Sequence, residues 1–289
     1  MKKNILIGLL LVICGVVGIV LVLASEHALV VHPKGMIAQQ EFELIVTNIL
    51  LMLVIIVPTY LLLFWIVWKY CIRKDNSKYD PDHSQGPIAI LLMWGLPSVI
   101  VAVMAIITWD RTHQLNPYKP LESEKNTLLI QVIALDWKWL FIYPDKGIAT
   151  LNYFQIPEKT PIHFRLTADE SPMNSFWIPQ LSGQIYSMTG MSTQLYLIAD
   201  GIGEYAGRAV EINGEGYSDM TFSVKSTSSK DFEDWIDQVK ESPHKLTQEV
   251  YNELVKHSVN KSIILFSEVE DNLYNKIVEK YMYPDEQVL

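Results

Sequence analysis

Three stretches of this chain run for twenty residues or more without a charged side chain: residues 5–24, 44–68 and 88–109. An α-helix rises about 1.5 Å per residue, so about twenty apolar residues cross a hydrocarbon core of ~30 Å. A soluble protein can bury one such helix in its core, but three within the first 110 residues are predicted to be membrane segments. Mean hydropathy is +0.17 and 49% of residues are hydrophobic. That excess lies almost entirely at the N-terminal end.

The flanking charges set the orientation. Lys69, Arg73, Lys74 and Lys78 follow the second run, Lys2 and Lys3 precede the first, and only Lys34 lies between them. Lys and Arg accumulate on the cytoplasmic side, so 70–86 is expected inside and everything after Asp110 outside. Seven basic and six acidic side chains in residues 1–109 leave residues 110–289 at −10. Such an acidic outer part is a poor partner for nucleic acid. Cys14 and Cys71, the two cysteines, both fall in the membrane portion. The outer part therefore uses no disulfide and offers no thiolate to a metal. Residues 1–25 read equally as a signal peptide, with Val22-Leu23-Ala24 before the cleavage point, or as an uncleaved transmembrane segment.

A helical hairpin is expected over 42–109, with Pro58 and Pro97 inside it and Trp65, Trp68, Tyr70, Trp94 and Trp109 towards the helix ends as interfacial anchors. Beyond it the period becomes two. Ile162, Phe164 and Leu166 alternate with His163, Arg165 and Thr167, and Met220, Phe222 and Val224 with Thr221, Ser223 and Lys225. With "LLIQVIAL", "FWIP" and "TQLYLIA", these runs predict an antiparallel β-sandwich or barrel over 125–226. His163 reads as a side chain on the outer face of its strand. From Ser228 the helical period returns: Phe232, Trp235, Ile236 and Val239 form one stripe, Ser228 and Asp231 mark the start and Pro243 the stop. Weaker helices around 250–255 and 273–281 complete a C-terminal helical extension, 228–289, that packs on the sandwich or on a partner. The class is a membrane-anchored α+β protein.

The stretch "GRAVEINGEGYSDM", 207–220, has the cadence of a metal loop without cysteine or histidine. With the order of two transmembrane helices and a β-sandwich, it resembles subunit II of the haem–copper respiratory oxidases, whose outer domain is a cupredoxin-like sandwich. In relatives that oxidise cytochrome c, this loop carries a dinuclear copper centre in the pattern C-x-x-x-C-x-x-x-H-x-x-M, and an upstream histidine completes it. Gly207, Glu211, Ile212, Gly214, Ser218 and Met220 keep the frame. Ala209 and Asn213 replace the cysteines, Tyr217 the loop histidine and Asn174, in "NSFWIP", the upstream one. Met220 and the backbone carbonyl of Glu211 are the ligands that remain. A mixed-valence copper pair needs bridging thiolates and imidazoles. The resemblance therefore implies an emptied site with no catalytic, cofactor-binding or metal residue in this chain.

That loss is similar to the quinol-oxidising branch, as are "ALDWKWLFIYPDKGIATLN", "MNSFWIPQLSGQIYSMTGM" and "FEDWIDQVKESP"; the likeness is strongest to the bo-type ubiquinol oxidases and covers 32–243, the last forty-five residues matching less well. It implies a non-catalytic subunit II of a proton-pumping terminal quinol oxidase in a bacterial inner membrane. Haems and copper would belong to a partner large subunit, with quinol handled there and further small membrane subunits present. Two departures stand out. The residues before Pro33-Lys34-Gly35 lack the lipid-bearing cysteine of the bo-type, and Ile90 stands where many relatives place a glutamate near the inner end of the second helix. Either the chain takes no part in proton entry or Asp80 or Asp82 substitutes. The aromatics at Trp137 and Trp139, an electron entry in copper-bearing relatives, are expected to pack instead. A reading from another class, a stand-alone membrane-tethered copper-binding or chaperone protein, would need ligands among Met173, Met188, Met191 and Met220. A third, a cytochrome c oxidase subunit with working copper, conflicts with the missing ligands.

Overall fold

The computed structural model describes residues 28–69, 86–121, 123, 125–171, 173–259 and 262–282, with scattered positions between 15 and 25. Cys14, Cys71, Asp80, Asp82, most of the first apolar run and the loop expected on the cytoplasmic side lie outside the described residues. The chain divides into two compact units, 40–116 and the remainder.

The smaller unit is built from two long helices, α1 (Met36–Val67, 32 residues) and α2 (Pro87–Gln114, 28 residues), both long and apolar enough to cross a membrane. Their apolar side chains face outward, among them Phe64, Trp94 and Trp109. Water would reject such a surface, whereas hydrocarbon or a partner helix accepts it. Pro58 and Pro97 lie inside the helices. Beside each proline a hydroxyl bonds back one turn, Thr59 to the Ile55 carbonyl and Ser98 to that of Trp94, both at 2.7 Å. Polar atoms in the apolar zone are thereby satisfied within the helix.

The larger unit is a two-sheet sandwich. In chain order its strands are β1 (Leu128–Leu135), β2 (Lys138–Tyr143), β3 (Ile148–Leu151), β4 (Tyr153–Pro157), β5 (Ile162–Ala168), β6 (Asn174–Trp177), β7 (Ile185–Ser187), β8 (Thr193–Leu197), β9 (Gly203–Ala209) and β10 (Thr221–Thr227). Helices α3 (Ser229–Lys240) and α4 (Gln248–Val255), strand β11 (Ile264–Phe266) and helix α5 (Leu273–Met282) follow. One sheet runs β11-β3-β2-β1-β5-β8 and the other β4-β10-β9-β6-β7. The pairing departs from an all-antiparallel sandwich in two places: β1 lies parallel to β5, and β4 to β10. Period-two alternation reveals which face of a strand is buried but carries no information on which strand it meets or in which direction.

Alternate residues of β1 and β2 enter two different cores. Ile130, Val132, Ala134, Trp139, Phe141 and Tyr143 face the second sheet, where Phe176 and Phe222 stack at 4.9 Å between ring centroids. Ile133, Leu135, Leu140 and Ile142 face the opposite way, towards Tyr251, Phe266, Leu273, Tyr274 and Ile277 of the C-terminal extension. A strand covered on both faces needs apolar residues at nearly every position, and "LLIQVIAL" and "KWLFIY" are written that way. The extension thus packs on the sandwich as a third layer.

Candidate functional site

The loop 209–220 joins β9 to β10. Its ends are fixed by strand pairing and by the Ala209 amide donating to the Met220 carbonyl at 3.0 Å. Between them the chain makes only one short 3₁₀ turn, Tyr217–Asp219. The backbone N–H groups of 211–216 donate to no backbone carbonyl among the described residues. Gly214, with φ of +141°, and Gly216 present bare backbone to the Trp137 indole.

The structure brings two of the four replaced ligand positions together. Asn174, fully buried on β6, accepts a hydrogen bond at Oδ1 from Nδ2 of Asn213 and donates through its own Nδ2 to Ser171 Oγ at 2.9 Å. An amide–amide pair thus spans the positions where the resemblance implies a histidine and a cysteine. Ala209 and Met220 are buried in the sandwich core, and Tyr217 is half-buried. Asn213 Oδ1 is buried with no hydrogen-bond donor among the described residues. The donor set is two neutral amides, a phenol, a thioether and a carbonyl, without thiolate or imidazole. Neutral hard oxygens do not hold a soft, bridged copper pair, and Asn174 already spends its oxygen and its nitrogen on protein partners. Burial of Met220 also removes it from any exposed methionine set with Met173 and Met191.

His163 lies on β5, its ring stacked on Tyr196 at 4.3 Å and its Nε2 bonded to Gln194 Oε1 at 3.0 Å. Burial lowers its pKa from 6.5, the Gln194 bond opposing and Arg165 assisting. It serves the sheet surface, remote in role from the amide pair.

Trp137 sits in the two-residue turn between β1 and β2 with φ of +54°, a conformation that glycine or asparagine usually supplies and that costs about 1–3 kcal/mol for other residues. Packing holds it there. The residue is 8% exposed, its indole covered by the glycines of the loop and by His257, whose ring meets it edge-on at 4.4 Å. Trp139 is fully buried against Phe176 and Phe222. Both tryptophans are packing elements here.

The pattern-based reading missed a buried charge cluster at the end of β5. Asp169, 2% exposed, accepts from Tyr251 Oη at 2.6 Å, Tyr281 Oη at 2.7 Å and Lys280 Nζ at 2.8 Å. Burial, then the Asp169 carboxylate, pushes both phenols' pKa up, so they remain donors. For Lys280 burial works the other way, but its bonds to Asp169 and Glu170 outweigh it and its pKa is raised. These partners lie 82 to 112 residues from Asp169 in sequence, and no local motif announces them. A polar cleft of about 590 Å³, lined by residues including Asp136, Glu170, Tyr251, His257 and Lys276, opens beside the cluster.

A family described as the COX Aromatic Rich Motif matches residues 240–285, the region where the sequence resemblance was weakest. The chain is 44% identical over 250 residues to the cytochrome bo(3) ubiquinol oxidase subunit 2 of Pseudomonas aeruginosa, covering 86% of this chain and 75% of that protein. It is 42% identical over 263 residues to the ubiquinol oxidase subunit 2 of Acetobacter aceti, covering 90% and 85%. The quinol oxidase subunit 2 of Bacillus cereus is 37% identical over 231 residues, covering 80% and 79%. Among solved structures, the periplasmic domain of cytochrome oxidase subunit II from Bradyrhizobium japonicum aligns with 42% of this chain and 96% of its own, at 18% identity and a TM-score of 0.39.

Proposed function

The chain belongs to the subunit 2 family of ubiquinol oxidases, and on that premise we propose that it anchors and caps such an oxidase without carrying a redox centre of its own. It is a subunit of an oxidoreductase complex, and other oxidase subunits are its partners. The observation that carries the proposal is the Asn174–Asn213 amide pair, which occupies the ligand positions with groups unfit for copper. Ala209, Tyr217 and Met220 supply no thiolate or imidazole to repair the set.

On this reading the haems and copper belong to a partner large subunit, and electrons from quinol reach them through the membrane, bypassing the outer domain. The two long apolar helices hold the chain in a bacterial inner membrane as a multi-pass protein, against the large subunit and lipid, with residues after Asp110 outside. The outer unit, sandwich plus extension, covers the partner's exterior. Further small membrane subunits complete the assembly, and no nucleic acid is involved.

Purification in mild detergent with haem spectroscopy, oxygen uptake and metal analysis tests this. The expected complex contains this chain with a haem-bearing partner, consumes oxygen with quinol, and ignores reduced cytochrome c. Purification of the chain alone, or copper remaining on it after the large subunit is stripped away, would sink the proposal.

A further inference from the structure

We infer that the C-terminal extension is a clamp that fixes the loop of emptied ligand positions, 209–220, by gripping it from two sides. The inference rests on the reading that the loop holds no metal, and it assigns a task to the aromatic-rich segment.

One grip runs through the amide pair. Tyr281 Oη on α5 donates to Asp169 and accepts the backbone N–H of Glu170 at 2.9 Å, while Lys280 bonds both carboxylates. Tyr251 on α4 holds the other oxygen of Asp169. These bonds fix the turn that leads into β6, where Glu170 has φ of +50°. Two residues on from Asp169, Ser171 Oγ receives Asn174 Nδ2, and Asn174 Oδ1 receives Asn213 of the loop.

The other grip runs through Trp137. The segment after α4 is pinned by the buried Lys138, whose Nζ donates to the Lys256 carbonyl at 2.8 Å and to Ser258 Oγ at 2.7 Å. Between these two residues His257 pairs with Asp136 and meets the Trp137 ring edge-on. Trp137 in turn backs Gly216, where a side chain would have no room, and Gly214, where it would fit only tightly.

The need for such a clamp follows from the loop's own bonding. Its internal backbone bonds are confined to its mouth and to the 3₁₀ turn, which draws on the Gly214 and Gly216 carbonyls. The amides of 211–216 donate to no backbone carbonyl among the described residues, so this stretch leans on contacts from outside. The apolar third layer accounts for why the extension covers the sheet. It does not account for a buried carboxylate two residues before Ser171 at one margin, or for a buried lysine at the other that holds the segment whose His257 meets Trp137.

The test is hydrogen–deuterium exchange on the intact oxidase complex, comparing wild type with Tyr281→Phe, His257→Ala and their combination. Glu233→Gln, at a surface ion pair with Lys146 that has no link to the loop, serves as the control. Removing one grip is expected to speed exchange of the peptide covering 210–220 about tenfold, and the combination more, with β4 and β10 unchanged. Wild-type exchange in the loop while α4 and α5 loosen would overturn the clamp. So would acceleration spread evenly over the sandwich, which reports general loosening. Copper recovered on this chain would instead overturn the reading of an emptied site, so the two failures are distinguishable.

Discussion

At Gly216 an added Cβ would lie 2.2 Å from the Trp137 indole, so a rigid ring fills the space where a methyl would go. Gly216→Ala must displace either the loop or a side chain already held at φ of +54°. Overpacking of this kind costs roughly 1–3 kcal/mol. Thermal unfolding of the outer unit, followed by tryptophan fluorescence, is expected to shift down by several degrees, and an unchanged midpoint would refute the packing role of Trp137. His163 gives a second test, through pH. Its folded-state pKa is lowered from 6.5, so the fold favours the neutral ring. The associated stability is present above about pH 6.5 and is lost as pH falls through the ordinary value towards the folded one. His163→Gln, which removes the titration, should therefore flatten the loss of thermal midpoint between about pH 7 and 5 relative to wild type. The ring is partly exposed, so the difference is small but carries a definite sign. Residue identity at Asn174, Ala209, Asn213, Tyr217 and Met220 was legible by comparison with a known motif. The hydrogen bond that joins Asn174 to Asn213 was not, because 39 residues and a sheet register separate them.

Among the elements, those with a strong internal period were legible. The four buried residues of α3 are Phe232, Trp235, Ile236 and Val239, the stripe its spacing predicts. Ser228 caps the helix as expected, accepting the Asp231 amide at 3.1 Å. Ser228→Ala should lower stability by about 1 kcal/mol, read as a lower denaturant midpoint with an unchanged slope. A fall in slope would point to a changed unfolded state. Strands β5 and β10 bury Ile162, Phe164, Leu166, Phe222 and Val224 in alternation, again as the pattern requires. The parallel pairings of β1 with β5 and β4 with β10 were illegible, since direction is set by how connections cross between sheets. Asn152 shows the mechanism. With φ of +56° it turns the chain from β3 into β4 and the other sheet, and its side chain accepts the buried Trp139 amide at 2.9 Å. The two weak C-terminal helices were visible as elements, whereas their charged anchor Asp169 was hidden in a loop sequence without periodicity.

For the whole molecule, the informative feature is that the unit containing the sandwich also includes residues 28–39. Pro33-Lys34-Gly35 therefore acts as a seam. The Lys34 amide donates to the Gln180 carbonyl at 2.7 Å, the Lys34 carbonyl accepts from Asp200 at 3.0 Å, Gly35 bridges Ala199, and the Ala38 amide reaches Leu181 at 3.3 Å. A segment at the start of α1 thus packs on a domain whose strands come after both long helices, joining parts of the chain some 150 residues apart. Such closure fastens the segment 34–38 to the sandwich by backbone bonds. Gly35 makes the fit possible: an added Cβ would meet the carbonyl oxygens of Ile198 and Leu181 at 2.7 and 2.8 Å, and neither backbone atom can swing aside as a side-chain tip could. Gly35→Ala should open the seam and destabilise the outer unit by roughly 1–3 kcal/mol. The affected bonds join the segment to the β6–β7 and β8–β9 connections, so exchange at the Lys34 and Asp200 amides should rise while β1 and β2 keep their protection. On the proposed function, the same variant in the assembled oxidase should open the segment between residues 28 and 39 to protease without changing the haem spectrum of the partner. Loss of the haem-bearing subunit from the purified complex would show instead that the seam itself contributes to assembly.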